Sequence, residues 1–137
     1  MISIILPAYN ERENIKLITA QIHQALDNQA HEIIVVDDNS PDGTFAEMQK
    51  LNLPYVKMIK RTGPKGFAAS ILDGIMSSSG EILLIMDSDF NHQPKYIPFM
   101  IDSLKYYPCV SGSRFLYGGD MNDRFRHLSS WIFNMFT

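Results

Sequence analysis

The sequence holds a single cysteine, Cys109, among 137 residues. That excludes a disulfide framework and a thiolate metal cluster, and it fits a reducing, intracellular setting. No window reaches the ~18 consecutive apolar residues of a membrane-spanning helix. The apolar start, Met1 to Leu6, carries no basic segment and is cut by Pro7, so it is expected to be a strand and not a signal peptide. Neither sign of charge dominates: 12 Lys and Arg stand against 15 Asp and Glu, a formal net charge of −3. Without a basic excess the chain is excluded as a general nucleic-acid binder, because phosphate affinity comes from a positive surface. Repeats and low-complexity runs are also missing, and 45% of the residues are hydrophobic, which excludes collagen-like and disordered classes. A chain of this length can close one core without a disulfide or a metal.

What is present is alternation. Short apolar runs predict strands at Ile2–Leu6, Glu32–Val36, Tyr55–Ile59, Glu81–Met86 and Val110–Ser113. Between them, apolar residues at helical spacing predict helices over Arg12–Asn28, Thr44–Leu51, Phe67–Ser78 and Tyr96–Tyr106, the last entered through Pro94. A further amphipathic helix is expected from Asn122 onward. Strands apolar on both faces, alternating with helices, predict an α/β fold: a mostly parallel, Rossmann-like sheet in three α/β/α layers. Sites in such sheets lie beyond the carboxyl ends of the strands, so the residues there carry the functional information.

After the first strand stands Pro7-Ala8-Tyr9-Asn10-Glu11. Asn10 and Glu11 suit a helix start, but a tyrosine at a strand end also suits stacking on a flat ring such as a nucleobase. The second strand ends in Asp37-Asp38, followed by the turn sequence Asn39-Ser40-Pro41-Asp42-Gly43. Two adjacent carboxylates need a cation or hydrogen-bond donors facing them, and one could accept from a base or ribose. The third strand ends in Lys60-Arg61-Thr62-Gly63-Pro64-Lys65-Gly66. This is a solvated basic loop or, ahead of a helix N-terminus, a seat for a diphosphate. It is neither a Walker A loop, since Phe67 follows Gly66, nor a Gly-x-Gly-x-x-Gly turn.

The fourth strand ends in Asp87-Ser88-Asp89-Phe90-Asn91-His92. Asp87 and Asp89 can both reach one hard cation, Mg²⁺ or Mn²⁺, that would bridge a nucleotide diphosphate. His92 is expected to support that site and not to ligate. An EF-hand fails here, because its sixth position is His92 and its twelfth is Pro98. Further on, Arg114 offers a fork for phosphate. Arg124, Arg126 and His127 beside Leu128, Trp131, Ile132, Phe133 and Phe136 suit an ordinary core helix or a helix lying at a membrane surface.

Together these motifs resemble the family 2 glycosyltransferases of GT-A fold, in the branch of the dolichyl-phosphate mannosyltransferases and related polyprenyl-phosphate glycosyltransferases. The resemblance rests on Leu6–Asn14, Glu32–Thr44, Gly66–Gly74, Met86–Pro94 and Ser111–Arg114, in that order. It implies that Pro7, Tyr9, Glu11, Val36 and Asp38 hold the nucleoside, with Lys65 also on the donor side. It implies that Met86, Asp87, Ser88 and Asp89 line the diphosphate and sugar, with Asp87, Asp89 and Asn91 at the metal. Asp87, Asp89 and Arg114 would be catalytic, and Arg114, Arg126 and Ser130 would meet the acceptor phosphate, with Asn134 one step further.

The implied reaction moves a sugar from GDP-mannose or a UDP-sugar to a polyprenyl or dolichyl phosphate, with inversion, at the cytoplasmic face of a membrane. Mannose is the expected sugar, with glucose and aminoarabinose as alternatives. An acceptor phosphate is already anionic, so no general base is required. Residues 1–90 would form the nucleotide-sugar half of one catalytic domain spanning 1–137, and residues 91–137 the start of the acceptor side. The run Trp131–Thr137 has no helix stop signal, and the chain is expected to be truncated, with nucleotide binding kept and transfer to lipid weak or absent. Rival readings are an inactive nucleotide-sugar-binding domain and a receiver-like signalling module. The receiver expects its acid pair after the first strand, where Pro7-Ala8-Tyr9 stands.

Overall fold

The strands form because their residues are apolar on both faces, and the chain alternates them with amphipathic helices. The computed structural model describes residues 1–112. In order these are β1 (Ile2–Ala8), α1 (Ile15–Ala25), β2 (His31–Asp37), α2 (Thr44–Leu51), β3 (Val56–Lys60), α3 (Phe67–Met76), β4 (Ile82–Ile85), a 3-10 turn (Pro94–Tyr96) and α4 (Ile97–Ser103). The four strands are parallel and lie in the order β3-β2-β1-β4. Two units divide the chain, Met1–Asp102 and Ser103–Thr137. The first carries all four strands found among the described residues; in the second, Tyr106 and Tyr107 turn back to donate to the Ser103 carbonyl at 3.0 and 3.2 Å.

Alternate residues of each strand face opposite layers. Ile2, Ile4, Leu6, Ile33, Val35, Leu84 and Met86 pack with Ile15, Ile18, Ile22 and Leu26 of the α1 region, Met48 of α2 and Ile97 of α4. Each fully buried isoleucine there contributes roughly 1.5–3 kcal/mol. On the other face, Ile5 and Val36 receive α3 through Gly74, where a Cβ would lie 2.4 Å from Ile5 Cγ2. The three α/β/α layers expected from the sequence are therefore present.

The chain runs outward from β1 to β3, then returns past β1 to β4. The direction of winding reverses between β1 and β4, and it is beyond the carboxyl ends of the strands at such a switch point that sheets of this kind leave a crevice. Pro7 sets where it opens. The register with β4 ends at Ile5↔Ile85, and Met86 N–H donates to the Ile5 carbonyl at 3.1 Å. The next ladder bond needs an N–H at residue 7, which proline lacks.

The opposite end of the sheet is locked by polar contacts. Glu32 Oε1 accepts from Ser3 Oγ at 2.6 Å and Ser79 N–H at 2.7 Å, while Gly80 N–H donates to Ser3 Oγ at 2.8 Å. Only glycine fits at position 80, because a Cβ would lie 2.7 Å from the Ser3 backbone nitrogen. Burial pushes the Glu32 carboxyl up, but the bonds from Ser3 and Ser79 and the charge of Lys57 outweigh it and hold the group below its ordinary 4.5. The folded state thus binds fewer protons than the unfolded one as acid is added. This contribution to stability is complete above the ordinary value and is lost as pH falls through the lower folded value. Glu32→Gln is therefore expected to lose stability less steeply than wild type from about pH 5 to about pH 3. Urea midpoints across that range measure it, and parallel profiles would contradict it. Beside this lock His23 stacks on Tyr55 with centroids 3.8 Å apart, and His23 Nδ1 meets His31 Nε2 at 2.9 Å.

Two expectations are corrected. The first helix starts at Ile15 and not at Arg12, because residues 10–14 are spent in a turn. Asn10 takes the left-handed region at φ 60°, where asparagine is tolerated, and the Asn14 and Ile15 N–H groups return to the Glu11 carbonyl. Val110–Gly112 form no strand. One half-buried valine followed by exposed Ser111 and Gly112 gives the segment no apolar face to bury. The remaining residue of that expected strand, Ser113, and the expected helix from Asn122 lie outside the described residues.

Candidate functional site

The loops after β1 and β2 are sewn together. Asn10 N–H donates to Ser40 Oγ at 3.0 Å, Glu11 N–H to Thr44 Oγ1 at 3.1 Å, and Arg12 N–H to Asp42 Oδ2 at 3.1 Å. Asp42 Oδ1 also accepts from Thr44 N–H and Oγ1, at 2.9 and 2.6 Å. Burial raises the Asp42 carboxyl, and the bonds from Thr44 and Arg12 more than reverse this, leaving it below the ordinary range. These contacts fix Glu11, whose Oε2 accepts from Asn14 Nδ2 at 2.8 Å. Thr44, Ser40 and Asp42 had no signal in the sequence beyond turn propensity, because their partners come from another loop.

Pro7 and Val36 are buried in the floor as register partners. The wall opposite comes from the segment after β4. Met86 is buried, and Ser88 Oγ donates to the Pro7 carbonyl at 2.9 Å. That bond places Asp87 and Asp89 beside the end of β1. Phe90 sits at φ 63°, where a bulky residue is strained by about 1–3 kcal/mol, so the turn carrying the two acids is held by its surroundings. Asp87 Oδ2 lies 3.4 Å from His92 Nδ1. Asn91 meets both oxygens of Asp89, with its backbone N–H at 3.0 Å and with its amide Nδ2. As placed, Asn91 steadies Asp89 with two N–H donors.

No three His, Cys, Asp or Glu side chains converge among the described residues. The pair Asp87 and Asp89 nevertheless suits Mg²⁺ or Mn²⁺. Such ions are commonly held by one or two carboxylates, with substrate phosphates and water completing the shell.

Asp37 and Asp38 are both buried, and each is handled differently. Asp37 Oδ2 accepts from Ser40 N–H at 3.2 Å, while its Oδ1 has no hydrogen-bond partner among the described residues. Asp38 Oδ1 is bonded by Arg61 Nη1, and Oδ2 accepts from Gly66 N–H at 2.8 Å. The cation and donors that adjacent carboxylates require are thus supplied by the loop after β3. Within that loop, Arg61 faces carboxylates while Lys65 stays exposed. Arg61 is committed to Asp38 and to Asp73 Oδ2, 2.7 Å away, and the bonds from Asp73 and Asp38 raise its guanidinium above the ordinary value, against its burial. The Gly66 N–H at the start of α3 is taken by Asp38. Lys60 lies over Phe45 at 5.8 Å, and Lys65 Nζ sits 2.5 Å from Tyr9 Oη and 4.0 Å from the centre of its ring.

At the ends of β1 and β2, Tyr9 thus meets Lys65, Asp38 meets Arg61 and Gly66, and Glu11 meets Thr44 and Asn14, while Met86, Asp87, Ser88, Asp89 and Asn91 follow β4. Arg114, Arg124, Arg126, Ser130 and Asn134 lie outside the described residues.

A model of glycosyl transferase family 2 matches residues 3–137. The chain belongs to glycosyl transferase family 2. This family 2 chain is 40% identical over 124 residues to a dolichol-phosphate mannosyltransferase of Pyrococcus furiosus, covering 89% of the chain and 35% of that relative. It is 35% identical to the dolichol-phosphate mannosyltransferase of Saccharomyces cerevisiae, over 85% of the chain and 45% of the relative. It is 36% identical to the polyprenol monophosphomannose synthase of Mycolicibacterium smegmatis, over 88% of the chain and 47% of the relative. The chain thus spans 35 to 47% of the length of these relatives.

Among solved structures, it matches glucosyl-3-phosphoglycerate synthase from Mycobacterium tuberculosis, crystallised with Mn²⁺, UDP and phosphoglyceric acid. There the TM-score is 0.64 and the identity 25%, over 76% of the chain and 38% of that protein. Mannosyl-3-phosphoglycerate synthase from Rubrobacter xylanophilus shares the fold, with a TM-score of 0.66 at 19% identity over 79% of the chain and 37% of that protein. The α/β fold is that of the GT-A glycosyltransferases. Among the described residues no helix is long and apolar enough to cross a membrane.

Proposed function

We propose that the crevice at the ends of β1, β2 and β4 binds a nucleotide-sugar together with Mg²⁺ or Mn²⁺. In this reading the chain serves an inverting transfer of mannose to a polyprenyl or dolichyl phosphate at the cytoplasmic face of a membrane. The observation that carries it is the Ser88–Pro7 bond at 2.9 Å, which sets an Asp-Ser-Asp strand end beside Tyr9 at the point where the sheet reverses direction. The names of the similar mannosyltransferases support the sugar and the acceptor.

Each residue then has a task. Tyr9 stacks on the base. Asp38 and Glu11 accept from the nucleoside while Pro7 and Val36 shape the floor. Asp87 and Asp89 hold the cation, which when bound neutralises the charge that develops on the leaving diphosphate. His92 and Asn91 keep those carboxylates aimed. Met86 and Ser88 shape the wall beside the sugar, and Lys65 adds positive charge on the donor side. The acceptor phosphate is an anion at neutral pH, so the chain supplies position rather than a base. Arg114, Arg126 and Ser130 are assigned to that phosphate, with Arg114 balancing charge at the reacting centre. Residues 1–90 serve the donor, and residues 91–137 begin the acceptor side.

A melting-shift panel of GDP, UDP and ADP, each with and without Mn²⁺, tests this. GDP or UDP is expected to raise the melting temperature, and Mn²⁺ to enlarge the rise. No shift with any of the three would sink the reading.

A further inference from the structure

Of Lys60, which ends β3, and the two cations in the loop after it, only Arg61 is withdrawn from solvent: its side chain is 9% exposed, against 11% for Asp38. Its Nη1 bonds Asp38 Oδ1 and the Pro64 carbonyl, the latter at 3.1 Å, while Nε donates to Asp73 Oδ2 at 2.7 Å. Asp38 closes the circle by accepting from Gly66 N–H at 2.8 Å. One guanidinium thus joins the end of β2, the end of β3 and the body of α3. The loop between Arg61 and Gly66 is held at both ends by the same carboxylate. Lys65 is the last residue of that loop, and it is the residue that touches Tyr9.

We propose that Arg61 is a positioning residue for nucleotide binding: clamped between Asp38 and Asp73, it seats the 61–66 loop so that Lys65 is delivered to Tyr9 and the Asp38 carboxylate is held toward the nucleoside. Arg61 acts through these neighbours and needs no contact with the ligand. Lysine cannot replace it, because a single ammonium lacks the fork that reaches two carboxylates and a carbonyl from fixed directions. The inference rests on the nucleotide-binding reading above.

The test is a double-mutant cycle on the full chain, with Kd for GDP and for UDP in Mn²⁺ measured by calorimetry. Lys65→Ala in the wild-type background is expected to weaken binding about fivefold, and Arg61→Met about tenfold. Arg61→Lys is expected to recover little of that loss. Where Arg61 is methionine, Lys65→Ala is expected to cost less than about twofold more, since Lys65 is already misplaced. A merely structural arginine would leave the two losses multiplicative, and multiplicative losses overturn the proposal, as does unchanged affinity in Arg61→Met. Should Arg61→Met not fold, Asp73→Asn takes its place in the cycle. Asp73 lies on the surface of α3 with its side chain 50% exposed, so its loss spares the core. Non-multiplicative losses with Lys65→Ala support the clamp, and multiplicative ones overturn it. A wild-type chain that binds neither nucleotide overturns both the clamp and the function proposed above. Wild-type binding with multiplicative losses overturns the clamp alone.

Discussion

Asp38→Ala is expected to lower the unfolding free energy by about 3 kcal/mol, the loss typical of breaking one side of a buried ion pair. The Asp38 carboxylate faces Arg61 with both side chains about nine-tenths buried. Removing it leaves a guanidinium in that place with Asp73 as its remaining carboxylate, and strips Gly66 N–H of its acceptor. For a chain of this size the melting temperature should fall by roughly 10 °C. Asp38→Asn keeps an oxygen for one of the donors and should lose about half as much. Urea denaturation of the three proteins measures the difference. A change below about 0.5 kcal/mol in Asp38→Ala would show that the cluster does not hold the fold.

Asp89→Ala should behave in the opposite way. Asp89 is exposed, and the bonds it accepts come from Asn91 within its own turn, so folding stability should change by less than about 0.5 kcal/mol. Affinity for a nucleoside diphosphate in Mn²⁺ should nevertheless drop on the order of 100-fold, because a carboxylate that holds the cation gives up several kcal/mol of charge stabilisation. Without metal, wild type and variant should bind alike. His92→Ala should cost less than about tenfold, as expected of a residue that orients Asp87 and does not hold the metal itself. In a sugar-transfer assay the same ranking is expected, with Asp89→Ala the more damaging. Equal, mild losses in the two variants would contradict the metal role. The two sets of expected outcomes thus separate the acids: Asp38 for structure as well as ligand, Asp89 for ligand alone.

What was legible in the sequence follows from distance along the chain. Ile2–Leu6, Glu32–Val36, Tyr55–Ile59 and Glu81–Met86 announce strands because their apolar residues are contiguous, and the structure moves each by a residue or two. Tyr9, Asp38, Asp87 and Asp89 were visible as site candidates because each stands within about three residues of the end of such a run. The clamp was invisible. Arg61 lies 23 residues from Asp38 and 12 from Asp73, and Gly66 lies 28 from Asp38, so no spacing rule links them. Read locally, Arg61 was one of three cations in an exposed loop. Only the pairing of β2 with β3 reveals that it faces a carboxylate and not solvent. The start of α1 misled for the same reason: its last loop residues bond to Ser40, Thr44 and Asp42, which belong to another strand end. Val110 misled in the other direction, being a single half-buried apolar residue followed by exposed Ser111 and Gly112.

The central claim is that Asp87 and Asp89 bring a divalent cation to a nucleoside diphosphate seated against Tyr9. It is tested most directly by calorimetric titration of GDP and UDP into the wild-type chain and into Asp87→Ala/Asp89→Ala, each with and without Mn²⁺. The account predicts that Mn²⁺ tightens wild-type binding at least about tenfold and leaves the double variant's affinity unchanged. A double variant that gains as much from Mn²⁺ as wild type would contradict it.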